Sequence, residues 1–312
     1  MNDDTDRHDI KIQIAKMYHI DGLSQGDIAK RINLSRPSVS RLLKDCIAEG
    51  IVEIRINDVS SQGRELSEKI KKLFSVRQVI VVPQSENLEA DKEKVGFAAA
   101  SYIETKLKSG MLIGISWGTM VLQVVKHIKP RSSIQVDVIE LIGNKDSDAN
   151  MMAIQLSKSL NGECYLLKAP FMVQSKVLRK LLMDEPNIKS HFNKIKEVDI
   201  AVIGIGSVKN DLGALYRSGH ITYEDLNSHM KDGVVGDLCG RLLCSDGSGY
   251  DSPLNERMLA VTLEDIKNIP MVIGVAAGEK KSEAILGALR GGYIDVLIID
   301  EKAAVGVINL NQ

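Results

Sequence analysis

Ser24–Ile47, SQGDIAKRINLSRPSVSRLLKDCI, reads as two short helices joined by a tight turn. The first, Gln25–Ile32, sets Ile28, Ala29 and Ile32 on one face. Asn33 and Leu34 form the turn. Ser35 suits the N-cap of the second helix, and Pro37 falls in its first turn, where backbone N–H groups have no partner. The second helix carries Val39, Leu42, Leu43, Cys46 and Ile47 at helical spacing, with Arg36, Ser40, Arg41 and Lys44 opposite. Ala29 is small enough for the helices to cross closely. Leu34 fills the corner, and Val39 and Leu42 lock the second helix onto the first. This is helix-turn-helix logic. It offers Arg36, Ser38, Ser40 and Arg41 to base edges or phosphates in a major groove. Ser24, Gln25, Ser35 and Lys44 complete the candidate DNA-contact set. Asn33 stands where a turn often has Gly, and Asn tolerates the left-handed backbone. The blander reading is an amphipathic helix pair with a solvated basic face. Against it, five basic and no acidic residues lie between Asp27 and Asp45, which suits a polyanion partner.

Working outward, Met1 to Arg7 is polar and expected to fray. A helix follows, with Ile10, Ile14, Ala15, Met17 and Tyr18 as its apolar positions, ended by Asp21-Gly22. After the helix pair, Gly50–Ile56 alternates at period two, which predicts the strand of a wing, with Arg55 solvated or on phosphate. Asn57–Gly63, NDVSSQG, has linker composition. Arg64–Phe74 is amphipathic through Leu66, Ile70, Leu73 and Phe74, and either joins subunits or packs on the next domain. Residues 1–57 are thus expected to form a winged helix-turn-helix and 58–312 a second domain.

The 312 residues far exceed one helix-turn-helix unit, and a net charge of −1 makes any DNA affinity local. Cys46, Cys164, Cys239 and Cys244 lack metal-ligand spacing and read as free thiols of a reducing compartment. No apolar run approaches the ~18 residues of a membrane span, and the acidic N-terminus is unlike a signal peptide. The expectation is a cytoplasmic protein with no membrane partner.

From Val79 the pattern changes to short β-branched runs between helical segments: Val79–Val82, Leu112–Ile115, Val136–Leu141, Ile200–Ile205, Val272–Ala276 and Val296–Ile299. That is the signature of a parallel sheet buried on both faces, a Rossmann-like, doubly wound α/β domain. Ligands of such sheets sit beyond the carboxyl ends of the strands. Ser116, Trp117, Gly118, Thr119 and Met120 follow the second run and open a helix, an anion cradle of small hydroxyl residues and Gly. Gly143 and Asn144 follow the third run, and Gly206 and Ser207 the fourth. Ala277, Gly278, Glu279, Lys280 and Lys281 follow the Val272 run, and Lys281 can reach a phosphate held by backbone N–H groups. Turn-forming glycines and a solvated lysine explain each feature singly; two such helix starts in one domain favour an anion. Neither GxGxxG nor a Walker A motif is present, so a dinucleotide or NTP is not indicated, and no metal or other cofactor is assigned.

The chain resembles the SorC family of sugar-binding transcriptional regulators over nearly its whole length. The resemblance rests on Leu23–Leu43, Ile113–Thr119 (IGISWGT), Ala169–Phe171 (APF), Asp199–Ser207 (DIAVIGIGS), Val235–Asp237 (VGD), Val272–Lys281 (VIGVAAGEKK) and Tyr293–Asp300 (YIDVLIID). It implies a bacterial repressor or activator of a carbohydrate operon, commonly tetrameric. It also implies an effector domain similar to phosphosugar isomerases, bound to operator DNA and to a sugar or sugar phosphate. By position, Ser116, Gly118, Thr119 and Lys281 would hold a phosphate, and Asp237 sugar hydroxyls. Some relatives carry Lys where this chain has Ile142; Ile142 cannot form an imine with an open-chain sugar, so binding is expected to be noncovalent. Lys145 lies three residues on and is expected to point elsewhere. Ala277, where the family usually has Gly, adds a methyl that narrows the loop.

The alternative is a sugar-phosphate isomerase or deaminase with an accessory DNA-binding domain. It needs an acid/base pair near the sugar carbonyl. None of His8, His19, His127, His191, His220 and His229 lies at a predicted strand end, and nothing pairs Asp237 or Glu279 with a base. No catalytic residue is therefore assigned.

Overall fold

The structure is a computed structural model. It describes residues 3–52, 60–130, 133–144, 147–209, 214–217, 219 and 221–312. The chain divides into two compact units, Met1–Asn57 and Asp58–Gln312.

The first unit holds α1 (Asp3–His19), α2 (Gln25–Arg31) and α3 (Arg36–Ala48). Ile14, Met17, Ile28, Ala29, Val39 and Leu43 form its core, with Leu23, Ile32 and Leu42 packed against it. Ser24 and Ser35 cap the two helices by accepting from the N–H groups of Asp27 and Ser38, each at 3.2 Å. Asn33 takes the left-handed conformation at φ 54°. Several expectations are corrected. Helix α1 begins at Asp3, within the segment expected to fray. Ile10 and Tyr18 are exposed, since α1 turns Ile14 and Met17 inward. Leu34 does not fill the corner: its side chain is 40% exposed. The corner closes through backbone instead, the Leu34 N–H donating to the Ala29 carbonyl at 2.9 Å past the left-handed residue. Ile47 also faces outward, while Cys46 is fully buried. The expected wing strand, with Arg55, falls largely on residues 53–59, outside the described residues.

The second unit runs α4 (Ser61–Phe74), β1 (Gln78–Val82), α5 (Leu88–Glu104), β2 (Leu112–Ile115), α6 (Thr119–His127), β3 (Asp137–Glu140), α7 (Ser147–Ser159) and β4 (Cys164–Tyr165). It continues through α8 (Lys176–Asp184), α9 (Pro186–Ile195), β5 (Ile200–Ser207), α10 (Ala214–Arg217), α11 (Tyr223–Lys231), β6 (Val234–Leu238) and β7 (Arg241–Cys244). It ends with α12 (Leu263–Lys267), β8 (Val272–Val275), α13 (Ser282–Arg290), β9 (Val296–Asp300) and α14 (Glu301–Leu310). The main sheet is parallel in the order β1-β9-β8-β5-β2-β3-β4. Apolar cores cover both of its faces. Each of the six predicted runs coincides with a strand, Val136, Leu141 and Ala276 lying just beyond the strand ends. The chain order reverses between β5 and β2, the crevice where open α/β sheets bind ligands.

The antiparallel hairpin β6–β7, paired to the end of β5, has no counterpart among the predicted runs. Its two-residue turn is Cys239-Gly240, both with positive φ, as such hairpin turns require. Strand β6 is buried along its whole length, so it lacks the alternation that marks a strand in sequence. Arg241 anchors the hairpin from inside, donating to the carbonyls of Val261, Ala260 and Asn255 at 2.9–3.0 Å. Burial lowers its pKa to about 10.

Helix α4 starts at Ser61, inside the stretch read as linker, because the Ser60 hydroxyl caps it by accepting from Gly63 N–H at 2.8 Å. Leu66 and Ile70 are buried, and the helix packs on β1 and α14. Its own domain thus covers Leu66 and Ile70, with Phe74 partly buried, while Leu73 stays 49% exposed.

Glu140 ends β3 only 4% exposed, its carboxylate accepting from Leu167 N–H at 2.7 Å. Burial raises its pKa from 4.5 to about 7. The native fold therefore favours the protonated form. That contribution is complete below pH 4.5 and is lost as pH rises through about 7. Glu140→Gln keeps a carbonyl acceptor and carries no charge. Its stability relative to wild type should rise between pH 4.5 and 7, by at most about 3 kcal/mol, and then level off. Urea unfolding at pH 5, 6, 7 and 8 measures this, and parallel curves would contradict it.

Candidate functional site

The carboxyl ends of β1, β2, β3, β5, β8 and β9, with the β6–β7 hairpin, enclose a cavity of about 510 Å³. Of the residues singled out in the sequence, Ser116, Trp117, Gly118, Thr119, Met120, Asp237, Gly278 and Lys281 line it. Each side is built from identifiable local chemistry.

Gly118 precedes α6 with φ 140°, and Gly278 precedes the Glu279–Lys281 turn with φ 96°, backbone that L side chains rarely adopt. No side chain caps α6, whose first residues Thr119 and Met120 line the cavity with Gly118. Ser116 is buried, and its hydroxyl accepts from Gly204 N–H at 3.3 Å while keeping a proton to donate. The Lys281 ammonium donates to the Ile205 carbonyl at 3.0 Å. Asp237 is 9% exposed, and its carboxylate accepts from Gly240 N–H at 3.0 Å. Gly206 lies opposite it in the β5–β6 register; a Cβ there would come within 1.8 Å of Asp237 Oδ1. Absence of a side chain at Gly206 therefore gives the carboxylate its place.

Ile142 also lines the cavity, so an apolar side chain occupies the wall at the end of β3. Ala277 lines it too, adding its methyl beside Gly278. Lys145 lies outside the described residues. Gly143 and Asn144 stand outside the lining and brace it. The Gly143 carbonyl accepts from Trp117 Nε1–H at 3.0 Å, and Trp117 meets Phe171 edge-on with ring centres 5.5 Å apart. Asn144 bridges to Pro170, and its side-chain amide donates to the Leu167 carbonyl at 3.0 Å.

The sequence reading missed part of the lining. Leu88, Asp91 and Lys92 enter from α5 after β1, and Lys302 from α14 after β9. The strand-end rule, extended to the first and last runs, would have found them. Cys239 and Gly240 come from the unforeseen hairpin, and burial pushes the Cys239 thiol up to about 12. Four lysines, Lys92, Lys280, Lys281 and Lys302, and three carboxylates, Asp91, Asp237 and Glu279, line the cavity, Lys92 being paired with Glu89 at 2.6 Å. Asp91 is buried and accepts from Ser85 N–H at 2.5 Å. The balance, with uncapped amides, suits an anion bearing hydroxyls. No histidine lines the cavity among the described residues. His191 is buried against the Glu140 carbonyl at 2.8 Å, and burial lowers its pKa; His220 lies outside the described residues.

In the first unit, Arg36, Arg41 and Lys44 are exposed on α3, with Lys30 and Arg31 exposed at the end of α2. Gln25, Ser38 and Ser40 are half-buried. The Ser24, Ser35 and Ser38 hydroxyls are engaged in the caps, Ser24 with Asp27 at 2.6 Å and Ser35 with Ser38 at 2.8 Å.

Comparison with known proteins follows the same division. Residues 60–309 match the family model described as "Putative sugar-binding domain", and residues 17–61 match the MarR family model. The deoxyribonucleoside regulator of Bacillus subtilis is 29% identical, over 98% of this chain and 99% of that one. The sorbitol operon regulator of Klebsiella pneumoniae is 29% identical over 94% and 95%. The crystal structure of full-length SorC from Klebsiella pneumoniae superposes with a TM-score of 0.82 at 28% identity, covering 95% of this chain and 96% of that one. These relatives are named as transcriptional regulators, not enzymes. With a winged helix-turn-helix ahead of a parallel-sheet sugar-binding domain matched over nearly its full length, the chain belongs to the SorC family of sugar-binding transcriptional regulators.

Proposed function

We propose that the chain is an operator-binding regulator of a carbohydrate operon, switched by noncovalent binding of a sugar phosphate in the strand-end cavity. The observation that carries the reading is the convergence of Ser116, Gly118, Thr119, Lys281 and Asp237, from segments far apart in sequence, on one cavity. In this reading the α6 amides, Ser116, Thr119 and Lys281 bind the phosphate, and Asp237 accepts from sugar hydroxyls. Trp117, Met120 and Gly278 shape the walls, and Gly143 and Asn144 hold Trp117 and the neighbouring loop. Ile142 keeps binding noncovalent. Arg36, Arg41 and Lys44, with Gln25 and Ser40, read or grip DNA, while Ser24, Ser35 and Ser38 fix the helix ends.

One helix-turn-helix covers half of a symmetric operator, so the chain acts as a homo-oligomer, a tetramer by analogy with its family. Of the apolar residues of α4, Leu73 stays exposed and is the part of that helix left to meet another subunit. Light scattering that reads a monomer with and without DNA contradicts the assembly. The protein works in the cytoplasm, where its operator is.

A thermal-shift panel of sugars and sugar phosphates, with turnover followed in parallel, tests the function. A rise in melting temperature with a sugar phosphate and no turnover supports the regulator. Turnover supports an isomerase or deaminase, and no shift with any compound contradicts both.

A further inference from the structure

The cavity has a physical connection to the first helix after the unit boundary, and it runs through α14. The cavity loop at Gly278 donates its N–H to the buried carboxylate of Asp300, whose other oxygen caps α14 by accepting from Ala303 N–H at 3.0 Å. The Ser282 hydroxyl ties the same loop to α14 at the Ala303 carbonyl, 3.3 Å away. The next residue after Asp300 is Glu301. One carboxylate oxygen accepts from the Ser60 hydroxyl at 2.6 Å, and the other accepts from Gln84 N–H at 3.2 Å. Ser60 is the N-cap of α4, its hydroxyl also receiving Gly63 N–H. Helix α4 is packed so closely on β1 that a Cβ at Gly63 would lie 2.8 Å from the Val81 carbonyl. Helix α4 is the first helix of the second unit in chain order.

We propose that Glu301 is a coupling residue: it clamps the start of α4 to the wall of the effector cavity, so that filling the cavity changes the order of the helix that leads to the DNA-binding unit. The proposal rests on the effector reading of the cavity. Glu301 itself is not among the residues lining it. A carboxylate suits the clamp because it offers two acceptors to donors from two separate segments, Ser60 and Gln84. Loss of the Ser60 bond frees the α4 cap from α14 while Asp300 still holds Gly278. Coupling of this kind is reciprocal, so disturbance at Ser60 must also reach the cavity loop.

The test follows the full-length chain by amide hydrogen exchange and by the fluorescence of Trp117, the only tryptophan and part of the cavity lining. The probe is inorganic phosphate. In wild type, phosphate should change Trp117 fluorescence and slow exchange at Gly63 and Arg64 at least threefold. In Glu301→Ala the fluorescence midpoint should stay within twofold while exchange at Gly63 and Arg64 no longer responds. Without any ligand, Glu301→Ala and Ser60→Ala should both speed exchange at Gly278 and Lys281, beyond the local effect at Gly63. Wild-type α4 amides that ignore phosphate while Trp117 reports its binding overturn the clamp, as does a Glu301→Ala response equal to wild type. A silent Trp117 in wild type counts against the effector reading. The ligand-free arm still judges the clamp, which falls if both variants leave Gly278 and Lys281 unchanged.

Discussion

Arg36→Ala combined with Arg41→Ala should weaken sequence-specific operator binding strongly while leaving the fold intact. Both side chains are exposed on α3, and neither belongs to the core of Ile14, Met17, Ile28, Ala29, Val39 and Leu43. A base-reading arginine contributes about 1–3 kcal/mol, so the pair should cost at least about 2 kcal/mol, roughly thirtyfold or more in affinity. An arginine on phosphate behaves differently, weakening all sequences together and lowering the salt slope by about 1. Gel-shift titrations of operator and scrambled duplex at two salt concentrations separate the two roles. Unchanged operator affinity in the double variant would remove α3 as the recognition helix.

The second large effect is at Lys281. Its ammonium lies at the cavity beside the β5 carbonyl of Ile205, with the uncapped start of α6 among the other lining elements. A charge-assisted contact to a phosphate is worth about 1.5–3 kcal/mol, so Lys281→Ala should raise the effector concentration for half-response roughly 10–100-fold. Operator affinity without effector should stay within about twofold, because Lys281 belongs to the second unit, whereas the recognition helix belongs to the first. Asp237→Ala should act on sugar selectivity more than on phosphate affinity, since its carboxylate is an acceptor and suits hydroxyl donors.

Much of this was legible in the sequence for physical reasons. The parallel strands are continuous β-branched runs because both faces of the sheet are buried, and that pattern survives without an alignment. Cap residues and turn chemistry marked α2 and α3, down to the left-handed Asn33. The hairpin β6–β7 was hidden because its buried strands do not alternate and because its turn is Cys-Gly rather than Asn-Gly. The exposure of Leu34 was hidden because the corner closes by a backbone bond that carries no side-chain signature. Gly143 and Asn144 follow a strand as ligand-binding residues do, yet they brace Trp117 and the 167–170 segment; only three-dimensional contact separates lining from bracing. Lys92 and Lys302 lie on the helices that follow the edge-side strands β1 and β9, which join the cavity only because the sheet order puts β9 beside β8 and β1 beside β9.

The central claim is that occupancy of the cavity controls operator binding. A ligand shifts that equilibrium only through different affinity for the DNA-competent and DNA-incompetent states, typically by about 5–150-fold. The decisive measurement is operator affinity with and without a sugar phosphate that demonstrably perturbs Trp117, in wild type and in Lys281→Ala. The prediction is a change of at least about fivefold in wild type, absent at the same concentration in Lys281→Ala. A sugar phosphate that fills the cavity and leaves operator affinity unchanged, or a Lys281→Ala chain that responds at the wild-type concentration, would contradict it.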